Sequence, residues 1–162
     1  MLDKAVEQAE DIREQKLNVY YELLFRRALL YFKQEKIQQA LKQFEEAYEV
    51  FEDPDDLHAV ALCYVKMGEL SRAVKYLEEL YCEWENPKYL LFLSDLLLSE
   101  GKRNEVLKKL ETILEETEDM ADGDLNKIKS YYENMDNYTV DISEIIKRES
   151  VTLMENSENS YV

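Results

Sequence analysis

A period of 33 residues runs through the middle of the chain and limits what it can fold into. Leu24, Leu57 and Leu90 are identical in the three frames. Ala28, Ala61 and Ser94 form a second column, and Tyr31, Tyr64 and Leu97 a third. Ala40, Ala73 and Val106, then Phe44, Leu77 and Leu110, then Ala47, Leu80 and Ile113 continue the series. Glu35, Gly68 and Gly101 share the middle position, and Pro54 and Pro87 keep the same spacing. So many columns in one frame are hard to obtain by chance, and a period of this length signals stacked helical units.

Each unit reads as two helices. In the second, Leu57, Ala61, Tyr64 and Val65 fall at i, i+4, i+7 and i+8; after Gly68, the set Leu70, Ala73, Val74, Leu77 and Leu80 repeats the pattern. Gly68 sits where the first helix must stop, because a C′ residue adopts the left-handed conformation and glycine reaches it without a Cβ clash. The next pattern resumes almost at once, so the two helices must pack antiparallel. Ala61 and Ala73 let their backbones approach closely. Pro54 and Pro87 each open a following helix, where a missing N–H costs nothing. With 3 Gly and 2 Pro in 162 residues, the chain has too few turn formers for a sheet, and the expected class is all-α.

These columns resemble the tetratricopeptide repeat. Ala28 and Tyr31, then Ala61 and Tyr64, match the small residue and the aromatic of the family's first helix; Ala40, Phe44 and Ala47 match its second. Gly68 and Gly101 sit at its inter-helix glycine. The departures are the 33-residue spacing, Glu35 in place of glycine, and Ser94 and Val106 in the third unit. The resemblance implies a right-handed α-solenoid of about three such helix pairs within residues 20–120, at 21–53, 54–86 and 87–119. Residues 1–19 are assigned to an N-terminal capping helix with Ala5, Ala9, Ile12 and Leu17 on one side; the alternative is an extension of the first repeat helix through Asn18. Residues 121–150 are assigned to C-terminal capping helices, through Leu125, Ile128, Tyr132 and Met135 and then Ile142, Ile145 and Ile146. Caps of this kind cover the stacking face of an end repeat. Residues 151–162 are polar and expected to be disordered. Ser160, Tyr161 and Val162 fit the loose pattern of a PDZ-binding C-terminus.

The formal charge of −16 repels phosphate backbones and anionic lipid, which argues against nucleic acid and membrane partners. No stretch is apolar enough to span a bilayer, and residues 1–15 lack a signal-peptide core, so a cytoplasmic protein is expected. Cys63 and Cys82 form no CxxC, and His58 is the sole histidine, so neither a zinc site nor a cofactor is expected. No GxSxG, phosphate loop or HExxH is present, and the acidic pairs read as solvated helix faces, so the chain is read as non-enzymatic.

The resemblance also implies a concave face lined by the first helix of each pair. Its positions here are Phe25, Leu29 and Phe32; His58, Leu62 and Val65; and Lys88, Leu91, Asp95 and Leu98. Most are apolar. Phe25 and Leu29 stand where some family members use Lys and Asn to grip a chaperone's terminal carboxylate, so that mode is disfavoured, Lys88 alone being suitable. The expected function is a non-catalytic scaffold or adaptor that holds a protein or peptide partner in a mostly apolar groove. The alternative is a small acidic chaperone resembling the bacterial class II secretion chaperones; an unrecognised enzyme is the remote one. A second copy or the chain's own terminal helices could also fill the groove, so a homodimer is allowed.

Overall fold

A computed structural model describes residues 2–116 and 119–159, with side chains to 155. Every regular element among them is helical. They are α1 (Leu2–Lys33), α2 (Ile37–Phe51), α3 (Pro54–Lys66), α4 (Leu70–Trp84), α5 (Pro87–Ser99), α6 (Arg103–Glu116), α7 (Asp122–Asn134), a 3₁₀ turn (Met135–Asn137) and α8 (Ile142–Asn159). The chain divides into two compact units, 1–63 and 64–162, with the division inside α3.

The 33-residue period is written into the backbone. The first helix of each pair ends at Lys33, Lys66 and Ser99, and the second begins at Ile37, Leu70 and Arg103. Each junction is the same two-bond stop. The N–H groups of Lys36, Glu69 and Lys102 reach the carbonyls of Tyr31, Tyr64 and Leu97, each at 2.9 Å. Those of Glu35, Gly68 and Gly101 reach Phe32, Val65 and Leu98 at 3.0–3.1 Å. This is a Schellman closure, which needs positive φ at C′. Gly68 and Gly101 meet it at 79° and 78°, while Glu35 is held at 61° with a Cβ in place.

The starts repeat as well. Asp53 Oδ1 accepts the Asp55 N–H at 2.9 Å, and Asn86 Oδ1 accepts the Lys88 N–H at 3.1 Å. Each cap satisfies one of the donors a helix start leaves open, and a proline fills the next position.

In the first unit, the second half of α1 packs on α2. Leu24, Ala28 and Phe32 of α1 and Ala40, Phe44 and Ala47 of α2 are all buried. Phe25 meets Phe44 edge-on at 5.6 Å, and Tyr21 meets Phe51 at 5.3 Å. Residues 2–20 have no such cover: every one is exposed. They do not form the separate capping helix assigned to 1–19. Residues 2–33 make one continuous 32-residue helix, because nothing between them breaks a helix and the packed half nucleates the rest.

In the second unit α5 is the centre, touched by α4, α6, α7 and α8. Its sequence, PKYLLFLSDLLLS, is apolar on nearly every side, as a helix surrounded by others must be. Ile128 of α7, Met135 and Ile145 of α8 are buried. Arg103 at the start of α6 donates to the Met135 carbonyl at 3.3 Å and pairs with Asp136. The tail expected to be disordered from 151 is helical to Asn159: once α8 is anchored, its last turns contain no Gly or Pro to stop them. The PDZ-like residues 160–162 lie outside the described residues.

Candidate functional site

The ten positions expected to line an open groove meet different fates. In the first unit, Leu29, Phe32 and Leu62 are buried, and Phe25 and His58 are half-buried. In the second, Val65 and Asp95 are buried, Leu91 and Leu98 half-buried, and Lys88 exposed, its ammonium 5.2 Å from the centre of the Tyr89 ring. Leu29, Phe32, Leu62 and Val65 therefore behave as core. Fully burying such a side chain is worth about 1.5–3 kcal/mol, which an open groove would forgo.

Asp95 departs furthest from the expectation. It stands in an apolar helix, is 3 % exposed, and lines no open surface. The Tyr131 hydroxyl of α7 donates to its Oδ1 at 2.6 Å, and Arg148 Nη2 of α8 donates to its Oδ2 at 2.5 Å. A buried charge is tolerable only when paired and hydrogen-bonded, and here both oxygens are. Burial, then the Asp95 charge, pushes the Tyr131 hydroxyl far above its usual range, so it remains a donor. Burial works against the Arg148 guanidinium, but the Asp95 hydrogen bond and charge outweigh it and hold the cation. Arg148 Nη1 also lies 3.4 Å from the Tyr138 hydroxyl. One carboxylate thus fixes two helices and two aromatic rings.

Above that network lies a cleft of about 630 Å³. Its floor is Leu91 with Tyr131 and Tyr138, whose rings meet edge-on at 5.6 Å. Asn126, Lys127 and Ser130 of α7 supply the polar rim. An apolar floor with a few amide, ammonium and hydroxyl groups at the edge suits one apolar side chain carried on a polar backbone. Of the ten expected positions, Leu91 alone lines this cleft; the α7 rim and Tyr138 were not foreseen. A second cleft of about 580 Å³ is mainly polar, edged by Glu85, Glu116 and Asp124.

The first unit has its own buried acid. Asp56 of α3 is fully buried; the Tyr21 hydroxyl donates to its Oδ1 at 2.8 Å, and its Oδ2 has no hydrogen-bond partner among the described residues. Burial pushes the Asp56 carboxyl up to about 7; the Tyr21 hydrogen bond opposes this, and Asp53 and Asp55 add to it. Among the described residues, no three His, Cys, Asp or Glu side chains converge as a metal-binding group. No described helix is long and apolar enough to cross a membrane.

Comparison with known protein families places a resemblance in the first unit. Residues 21–54, the packed half of α1 together with α2 and the first residue of α3, match the family model of the tetratricopeptide repeat. No curated protein and no solved structure matches the chain.

Proposed function

We propose that this chain, a tetratricopeptide-repeat protein by its segment 21–54, is a non-catalytic interaction scaffold whose α5–α7 cleft holds an apolar side chain of a partner protein. The observation that carries the reading is the floor of the cleft. Leu91, Tyr131 and Tyr138 offer apolar surface, and the two tyrosines are held from below by Asp95 and Arg148. A rigid floor binds without first being ordered, which removes part of the entropic cost of association. The rim of α7 provides hydrogen bonds for the main chain that carries the anchor.

Leu91→Glu and Tyr138→Ala test this with the full chain. Both sites border the cleft, so circular dichroism should be unchanged while a partner captured by the wild type is lost. Intact helicity with intact capture would move the binding surface elsewhere. A captured protein that is insoluble alone, and soluble only with this chain, would favour the chaperone reading over the adaptor.

A further inference from the structure

The face of α1 opposite its buried stripe carries a regular, mainly apolar pattern of exposed residues. Leu2, Ala9, Lys16, Leu23 and Leu30 recur at steps of seven, with Ala5, Ile12 and Val19 three residues after the first three. This is a 3–4 heptad spacing, the a and d positions of a coiled-coil seam. All of these residues are exposed, Ile12 at 54 %, Val19 at 58 % and Leu23 at 60 %. The stripe that packs inward, Leu24, Ala28 and Phe32, lies on roughly the other side of the helix at 3.6 residues per turn. The seam runs on the order of 40 Å along one continuous helix. A mainly apolar stripe, interrupted at Lys16 and Arg26, on a continuous helix is the kind of surface that interaction sites use.

The charges say what fits it. All five acidic residues between 2 and 20, Asp3, Glu7, Glu10, Asp11 and Glu14, fall at b, c and f, away from the seam. Its flanking e and g positions over the same stretch are Val6, Gln8, Arg13, Gln15 and Tyr20. A chain of net charge −16 can therefore bring this face against itself without opposing its own carboxylates. Beyond it, Glu22 is at g and Arg27 at e, the two positions that meet across a parallel pair. We infer that α1 pairs with α1 of a second copy as a parallel two-stranded coiled coil. Gln8 faces Arg13 of the other strand, Gln15 faces Tyr20, and Glu22 faces Arg27. Lys16 is the one charged residue at an a position before Arg26 at d. It holds the register at some cost in affinity, its stem along the seam and its ammonium in water.

Sedimentation velocity on the full chain tests this. The wild type is expected to be a dimer, and Ile12→Glu with Leu23→Glu a monomer that keeps its packed helices, since both side chains are exposed in the single chain, but melts lower than the dimer. Lys16→Ile should tighten the dimer. Glu22→Arg should weaken it, and adding Arg27→Glu should restore it. A monomeric wild type, or a dimer that survives Ile12→Glu with Leu23→Glu, overturns the inference. A dimer indifferent to the charge swap overturns the parallel arrangement.

Discussion

Asp56 and Asp95 are both buried, one in each unit, and each accepts a tyrosine hydroxyl. Beyond that they differ. Asp95 has Arg148 on its second oxygen; Asp56 has nothing there among the described residues. The helix ends repeat the contrast. Glu35 in the first unit occupies a left-handed position that Gly68 and Gly101 fill in the second. The same repeat can thus be built with its awkward groups compensated or left under tension. The uncompensated version ties the first unit to solution conditions: its carboxyl prefers to keep a proton, pushed up by burial.

The strongest blow to that contrast is Arg148→Met. It strands the Asp95 charge in the centre of the second unit and should cost about 3 kcal/mol by denaturant melting. Adding Asp95→Leu should recover most of the loss. If Arg148→Met alone leaves the midpoint in place, the cation is not compensating anything.

The first unit should respond to pH. The Asp56 carboxyl, ordinarily near 3.8, is raised to about 7 in the folded chain, so folding favours its protonated form. Its contribution is full below the ordinary value and is lost as pH rises through about 7. Melts between about pH 5 and pH 8 should lose stability on the order of 2 kcal/mol. Asp56→Asn keeps the shape without the charge and should flatten most of that slope; an unchanged slope would assign it to other carboxylates, Glu45 and Glu149 being raised by burial too.

The helix ends give the finest comparison. At Gly101 an added Cβ meets nothing within 4 Å, so Gly101→Ala tests backbone strain alone and should cost about 1 kcal/mol. Glu35→Gly is the reverse exchange in the first unit and should gain about 0.5–1 kcal/mol. Equal and opposite shifts would show that the three turns are energetically one motif. A loss at Glu35→Gly would mean that its side chain contributes more than its backbone costs.

Helices and turns were legible because periodicity and breakers are local. The stops after Lys33, Lys66 and Ser99 follow from Glu35, Gly68 and Gly101 in one column. The continuity of α1 was also in plain view, since residues 2–33 contain no Gly or Pro: of the two readings of the N-terminal segment, the backbone makes the extension of the first repeat helix through Asn18 and not the separate cap. Asp95 was misread for a deeper reason. The frame sets it beside Leu29 and Leu62 and assumes similar neighbours, yet its unit is covered by α7 and α8, which lie outside the period. A lone carboxylate in YLLFLSDLLL already demanded a donor; that the donors are Tyr131 and Arg148, 36 and 53 residues away, is a tertiary fact. The cleft beside Leu91 was hidden likewise, most of its lining coming from α7.

The strict 33-residue spacing makes the chain editable in whole cassettes. Glu52 and Glu85 both close a helix in the left-handed region, and Asp53 and Asn86 both cap the helix that a proline then opens. Excising 54–86 would join Asp53 to Pro87, restoring an acid–proline seam the chain already contains at Asp53 and Pro54. Duplicating the same stretch would join Asn86 to Pro54, a pair the chain already uses as Asn86 and Pro87. Gain or loss of a unit therefore needs no new turn, so its length can evolve in steps of one repeat by a single recombination event.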